Sequence, residues 1–315
     1  MKFSLYKTFT YTIVIIAYMV VIYKLVTYNQ YEALISHFTD NISSHWFYLI
    51  ICILLMPLNI LTESIKWKYA VSQIEKISLK NAIIATLKGQ VGAIATPNKL
   101  GDFPTRATSL QSGNKTIGTI MGFVSSWTLT LVIIIIGLFT SAIYISQYQT
   151  ETYNNQYILL ASAICVAITT LIFSIPTIAQ NINIDKINIQ KIKNILQILS
   201  SVKSQQLLTL SFFSLLRFSI FCTQLFLMLR FFDINITIWQ SFISIPTIYL
   251  LTTITPTIVA SEAATRSSYA ILILAPFCTT APTIALATTL LWVLNCGTPI
   301  IIGSTLFHFN KKLKF

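Results

Sequence analysis

Apolar runs separated by short polar connections recur along almost the whole chain. Runs long enough to cross a bilayer as a helix, or nearly so, lie at about 11–28, 46–62, 119–145, 157–179, 207–230, 238–255 and 283–307, with shorter ones at about 82–96 and 267–277. A helix needs about 20 residues, at roughly 1.5 Å each, to cross a hydrocarbon core of about 30 Å. The pattern predicts an all-α polytopic membrane protein with six to eight membrane-spanning helices, forming a single integral membrane domain over residues 1–315. Lys2 and Lys7 precede the first run in the manner of a signal peptide, but Tyr23-Lys24-Leu25 offers no small-residue cleavage site, so a retained first span is expected.

Composition agrees with the pattern. Of 315 residues, 55% are hydrophobic and only 10% charged, against about 25% charged in soluble domains, and mean hydropathy is +0.73. Such a chain leaves no room for a soluble catalytic domain, which excludes nucleic-acid modules, Rossmann enzymes and secreted disulfide scaffolds. The net charge of +12 then points to an anionic membrane surface and not to nucleic acid. Cys52, Cys165, Cys222, Cys278 and Cys296 each sit in an apolar run without a CxxC pair, and His37, His45 and His308 form no cluster within the apolar runs. No metal and no cofactor are expected.

Lysines cluster at Lys2 and Lys7, from Lys66 to Lys88, from Lys186 to Lys203, and from Lys311 to Lys314, whereas connections 29–45, 146–156, 231–237 and 278–282 hold neither Lys nor Arg. The positive-inside rule puts both termini and the two lysine-rich loops in the cytoplasm. Residues 184–199 mix basic and apolar positions and read as an interfacial helix on anionic lipid. Trp67, between Lys66 and Lys68, reads as an interfacial anchor.

Two segments break the helical pattern in the same way. Residues 89–106 hold Gly89, Gly92, Gly101, Pro97 and Pro104, and predict an apolar half-helix, a Thr96-Pro97 break and a second helix starting near Pro104. Residues 253–266 repeat that order around Thr255-Pro256. An acid follows each proline by five or six residues (Asp102, Glu262) and an arginine follows each acid by four (Arg106, Arg266), in a chain with four arginines. Acid and arginine at i,i+4 share one helix face, either as a structural salt bridge or as part of a site. Unwound backbone at membrane depth lines protein or a watery cavity, and half-helix N-termini attract anions. Two broken, re-entrant helical hairpins facing each other predict an anion site and an inverted repeat, about 46–145 and 207–307. If the shorter segments dip and return, six helices cross; if 238–255 and 267–277 cross completely, eight do, with the same termini. Arg217, near the middle of the 207–230 run, is expected to pair or to line the cavity. Gly118 and Gly122 have the small-xxx-small spacing of a close helix contact.

The stretch from Thr96 to Leu110, with Pro97, Gly101, Asp102 and Arg106, resembles the proline-glycine-glutamate-basic signature of the lysylphosphatidylglycerol synthase transmembrane (flippase-like) family, with Asp102 where that family has Glu. Lys66-Trp67-Lys68 resembles its aromatic-basic patch, and Thr255 to Glu262 is similar to its second motif without the glycines. The resemblance implies a multi-pass protein of the bacterial cytoplasmic (inner) membrane that translocates anionic or aminoacylated lipids or lipid-linked phosphate intermediates. It implies no enzyme, because the aminoacyl transferase is a separate soluble domain that this chain lacks. Thr96, Pro97, Lys99, Asp102, Arg106, Arg217, Pro256, Glu262 and Arg266 are the candidate residues for a phospholipid or polyprenyl-phosphate ligand. The alternatives are a non-catalytic subunit organising a lipid-modifying or glycan-assembly complex, with a lipid-modifying partner or as a homodimer, and an intramembrane enzyme using Asp102 or Glu262.

Overall fold

The computed structural model describes residues 31–94, 96–148, 155–181, 197–198, 200–278 and 281–312. The first apolar run and, apart from residues 197 and 198, the expected interfacial segment 184–199 lie outside them. Among the described residues every regular element is helical. They are α1 (Tyr31–Val71), α2 (Leu79–Ala93), α3 (Asp102–Ala107), α4 (Lys115–Tyr148), α5 (Asn155–Asn181), α6 (Ser204–Phe231), α7 (Ile238–Ile254), α8 (Val259–Leu274), α9 (Ala281–Trp292) and α10 (Thr298–Lys312). A π turn at Val293–Gly297 joins α9 to α10.

Among the described residues, four segments are long and apolar enough to cross a membrane: Ser44–Val71 (28 residues), Lys115–Tyr148 (34), Ser204–Phe231 (28) and Ala281–Leu306 (26). Gln156–Leu171 and Ile238–Ile254 are shorter apolar helices. The second run continues past its expected end at 62, through Glu63 and Lys66 to Val71, because those two polar residues are buried against protein. Trp46, Leu54, Leu159, Phe212 and Leu272 stay exposed on the outer surface, as apolar side chains do where lipid is the solvent.

α1 and α6 pair antiparallel along their length, tied by Gln224 Nε2 to the Cys52 carbonyl (3.1 Å) and Gln206 Nε2 to the Ala70 carbonyl (3.4 Å). The broken segments form two hairpins, α2/α3 and α7/α8. Glu75, just after α1, accepts from the Gln111 amide and from Asn114 Nδ2, both at 3.0 Å, so the first hairpin leaves and returns at one place. The feet of the second, Asp233–Asn235 and Ala275–Cys278, line a common cavity of about 430 Å³. α4 starts beside the feet of the first hairpin; near its far end Tyr144 donates to the Ile273 carbonyl at 3.0 Å, and Tyr148 packs edge-on against Phe277. The two hairpins therefore start from opposite ends of α4.

Candidate functional site

Neither proline lies in continuous helix. Pro97 has no N–H to give, and the Thr96 hydroxyl closes the gap by donating to the Ala93 carbonyl (3.2 Å) and accepting from the Gly101 amide (2.8 Å). Asn98 and Lys99 turn the chain in the left-handed region, at φ 48° and 60°, where non-glycine residues are uncommon and asparagine is the most tolerant. At the second break Thr255 donates to the Leu251 carbonyl at 2.8 Å, and the Ile258 amide, freed by the break, donates to Ser261 Oγ at 3.3 Å.

The two tips touch. The Asn98 amide donates to the Thr257 carbonyl at 2.8 Å, and the Thr257 amide donates to Asn98 Oδ1 at 3.2 Å. Lys99 Nζ reaches Glu262 Oε2 at 2.8 Å. Chain segments about 160 residues apart thus exchange backbone and charged contacts at one point.

Around this contact lies a layer of buried charge. Arg106 grips Asp102 with two prongs, Nε to Oδ1 at 2.6 Å and Nη2 to Oδ2 at 2.5 Å, and sends Nη1 to Glu63 Oε1 at 2.5 Å. The second Glu63 oxygen takes Arg217 Nη1 at 2.7 Å, while Arg217 Nε donates to Asn59 Oδ1 at 2.8 Å. Charge-assisted pairs of this kind are strong in a low-dielectric interior, where an unpaired ion is costly. Gly89 makes the geometry accessible: a Cβ there would stand 1.9 Å from Asp102 Oδ1 and 2.7 Å from Arg106 Cγ. Lys66, one turn beyond Glu63 on α1, is 0% exposed, and its Nζ has no hydrogen-bond partner.

The second acid-arginine pair is set on α8. Arg266 Nη2 donates to Glu262 Oε1 at 2.6 Å, and its guanidinium lies over the Tyr249 ring at 5.3 Å. Tyr249 stacks on Phe221, and Arg217 lies over the Phe221 ring at 5.1 Å. An aromatic pair therefore links the two arginines. The layer continues from Asn59 to Asn295 on the π turn (3.5 Å), whose Nδ2 donates to Gln224 Oε1 at 2.9 Å. Single π turns inside helices occur frequently at functional sites.

Lys99, Asp102, Arg106, Arg217, Glu262 and Arg266 thus fall in one connected layer, and Thr96, Pro97 and Pro256 shape the breaks that bring them there. Several expectations need correction. Trp67 is no interfacial anchor: it is fully buried, with its ring beside Gly122. The second half-helix of the first hairpin begins at Asp102, with Pro104 in its first turn as expected, but it has only six residues, too few for an appreciable helix dipole. Gly118 and Gly122 do make a close contact, with Leu110 and Ala107 and with Phe103 and Trp67, all in this chain. The sequence reading missed Glu63, Lys66, Asn59, Gln224 and Asn295. A signal existed for Glu63, an acid one helical turn from a lysine at the end of an apolar run, but polar residues there also mark the membrane boundary.

A family model described as the lysylphosphatidylglycerol synthase TM region matches residues 9–303. No curated protein and no solved structure matches the chain.

Proposed function

The chain belongs to the lysylphosphatidylglycerol synthase TM-region family, and on that premise we propose that it is a multi-pass membrane protein that translocates phosphate-bearing lipids. The headgroup is taken up in the charged layer where the two hairpin tips meet. The observation that carries this is the charge balance of the layer. Among the described residues, Lys66, Lys99, Arg106, Arg217 and Arg266 share it with Glu63, Asp102 and Glu262. The Lys99 side chain is 38% exposed, while Lys66, Arg106, Arg217 and Arg266 are largely shielded, so four shielded cations face three carboxylates; such an excess is expensive in a membrane interior and is kept where an anion visits.

The hairpins support a six-crossing arrangement with two re-entrant segments. α2 has 15 residues and α7 has 17, lengths of roughly 22–26 Å that fall short of the hydrocarbon core, and the feet of each hairpin lie together. Their opposite starting ends are those of an inverted repeat. So is the matched packing of Gly303 on α10 against Leu87 of α2 and of Gly137 on α4 against Leu250 of α7. In that arrangement the Asn98–Thr257 contact and the Lys99–Glu262 pair close the route between the two membrane faces, and headgroup passage requires the tips to part. Alternating access by one repeat rocking against the other is the motion such folds support. Both termini lie in the cytoplasm, and the chain performs no covalent chemistry on the lipid.

The reading that the layer only organises a larger complex is favoured by one feature: the Arg106 fork is fully taken by Asp102 and Glu63. A reconstituted assay separates the two. Full-length protein in proteoliposomes is expected to expose a labelled anionic lipid to an outer-leaflet quencher faster than empty vesicles, and Arg217→Gln is expected to abolish the gain. Equal rates with and without protein would overturn the translocation reading.

A further inference from the structure

Four buried polar groups near the first hairpin donate to nothing: Lys66 Nζ and Trp67 Nε1 on α1, Thr86 Oγ1 on α2 and Ser125 Oγ on α4. These helices pack around α3, which carries the Asp102–Arg106 pair. A buried donor without an acceptor is a standing cost, and a ligand rich in acceptor oxygens satisfies an ammonium, an indole N–H and hydroxyls alike. Lys66 is the informative one among them. It lies in the field of Glu63, Arg106 and Arg217, yet both Glu63 oxygens are occupied by the two arginines. Arg106 has spent its planar fork on Asp102, so it is not the free phosphate grip that its motif suggests. Arg266 Nε, near the second tip, is likewise without a partner.

The excess of the layer rests on Lys66 and on the partly exposed Lys99. With Lys66 charged, the five bases exceed the three acids by two; with it neutral they exceed them by one. All three carboxylates are already engaged by basic side chains of the chain itself, so an added ammonium would have to compete with them.

We infer that Lys66 is the anion-receiving residue of this layer, and that the ligand class is a lipid phosphate of net negative charge, without an ammonium on its headgroup. This rests on the proposed function and narrows it: the chain selects against aminoacylated, net-cationic lipids. Phosphate monoesters and phosphodiesters share the recognised group, and the test separates them.

The test is binding to the full-length protein in detergent, read by native mass spectrometry, with three short-chain probes: a polyprenyl phosphate, phosphatidylglycerol, and lysyl-phosphatidylglycerol. Both anionic probes are expected to bind at least tenfold more tightly than the lysyl ester, with the monoester ahead of the diester if the layer carries two excess charges. Lys66→Met is expected to weaken the anionic probes about tenfold, the loss of one charge-assisted contact, and to narrow the gap to the lysyl ester; Lys66→Arg is expected to retain most of the binding. Exposed Lys80→Ala is the control for surface charge. Equal or tighter binding of the lysyl ester, or unchanged anion binding in a folded Lys66→Met protein, would overturn the inference. Translocation of the cationic lipid in proteoliposomes would overturn it while leaving the proposed function standing; anion-selective binding with no translocation would do the reverse.

Discussion

Lys66→Met discriminates most sharply between a residue kept for folding and one kept for a ligand. The ammonium is 0% exposed and makes no hydrogen bond, and its attraction to Glu63 is opposed by Arg106 and Arg217, which hold both carboxylate oxygens. A buried donor left unsatisfied costs about 1–3 kcal/mol, and an uncompensated ion costs more. Methionine has nearly the same length and flexibility and opens no cavity. The substitution is therefore expected to stabilise the protein by about 1–3 kcal/mol while weakening anion binding. Glu63→Gln is the counterpart: it leaves Arg106 and Arg217 facing a neutral amide, and stranding one side of a buried pair costs about 3–5 kcal/mol. Unfolding of both purified variants in mixed micelles at increasing fractions of sodium dodecyl sulfate gives the comparison. The midpoint should rise for Lys66→Met and fall for Glu63→Gln. If Lys66→Met fell as far as Glu63→Gln, Lys66 would be a structural partner of Glu63 and the reasoning would be wrong.

Gly89→Ala is expected to be as damaging as loss of the ion pair itself, because the new methyl would stand 1.9 Å from Asp102 Oδ1; reduced folded yield and lost lipid binding are the readouts, and a fully active variant would contradict the packing described. Asn98→Cys with Thr257→Cys should cross-link the tips, whose backbones meet at 2.8 Å, and stop translocation until a reductant is added; undiminished transport in the cross-linked protein would show that the tips need not part. A reporter active only in the cytoplasm should work when fused after Phe315 and fail at Asn41, and the same side for both would refute the orientation read from the lysines. Arg266→Lys, which keeps the charge but loses the guanidinium over the Tyr249 ring and the oriented donor to Glu262, should leave membrane abundance near normal and reduce translocation at least tenfold; full activity would remove Arg266 from the site.

The sequence by itself determined the solvent and the elements. Apolar runs of bilayer length can be satisfied only by helices, because no other single-segment structure pairs every backbone group within itself. That is why α4, α6 and the α9–α10 helix coincide with their apolar runs to within a few residues. The breaks were legible for the same local reason: Thr-Pro cannot continue a helix, and acid and arginine four apart must share a face. What sequence could not decide is which charges meet. The Asp102–Arg106 spacing gave the intrahelical pair but not Glu63, 43 residues earlier, or Arg217, 154 residues after Glu63, since a pairing across helices depends on their rotation and offset. Trp67 and Lys66 read as boundary residues because amphipathic side chains in lipid and side chains buried against protein have the same sequence signature; only the packing of α2, α3 and α4 around α1 made them interior. The contact of Asn98 with Thr257 is likewise a product of the tertiary fold alone. It brings two local breaks, each legible from its own dozen residues, into one charged layer whose excess of cations no local window contains.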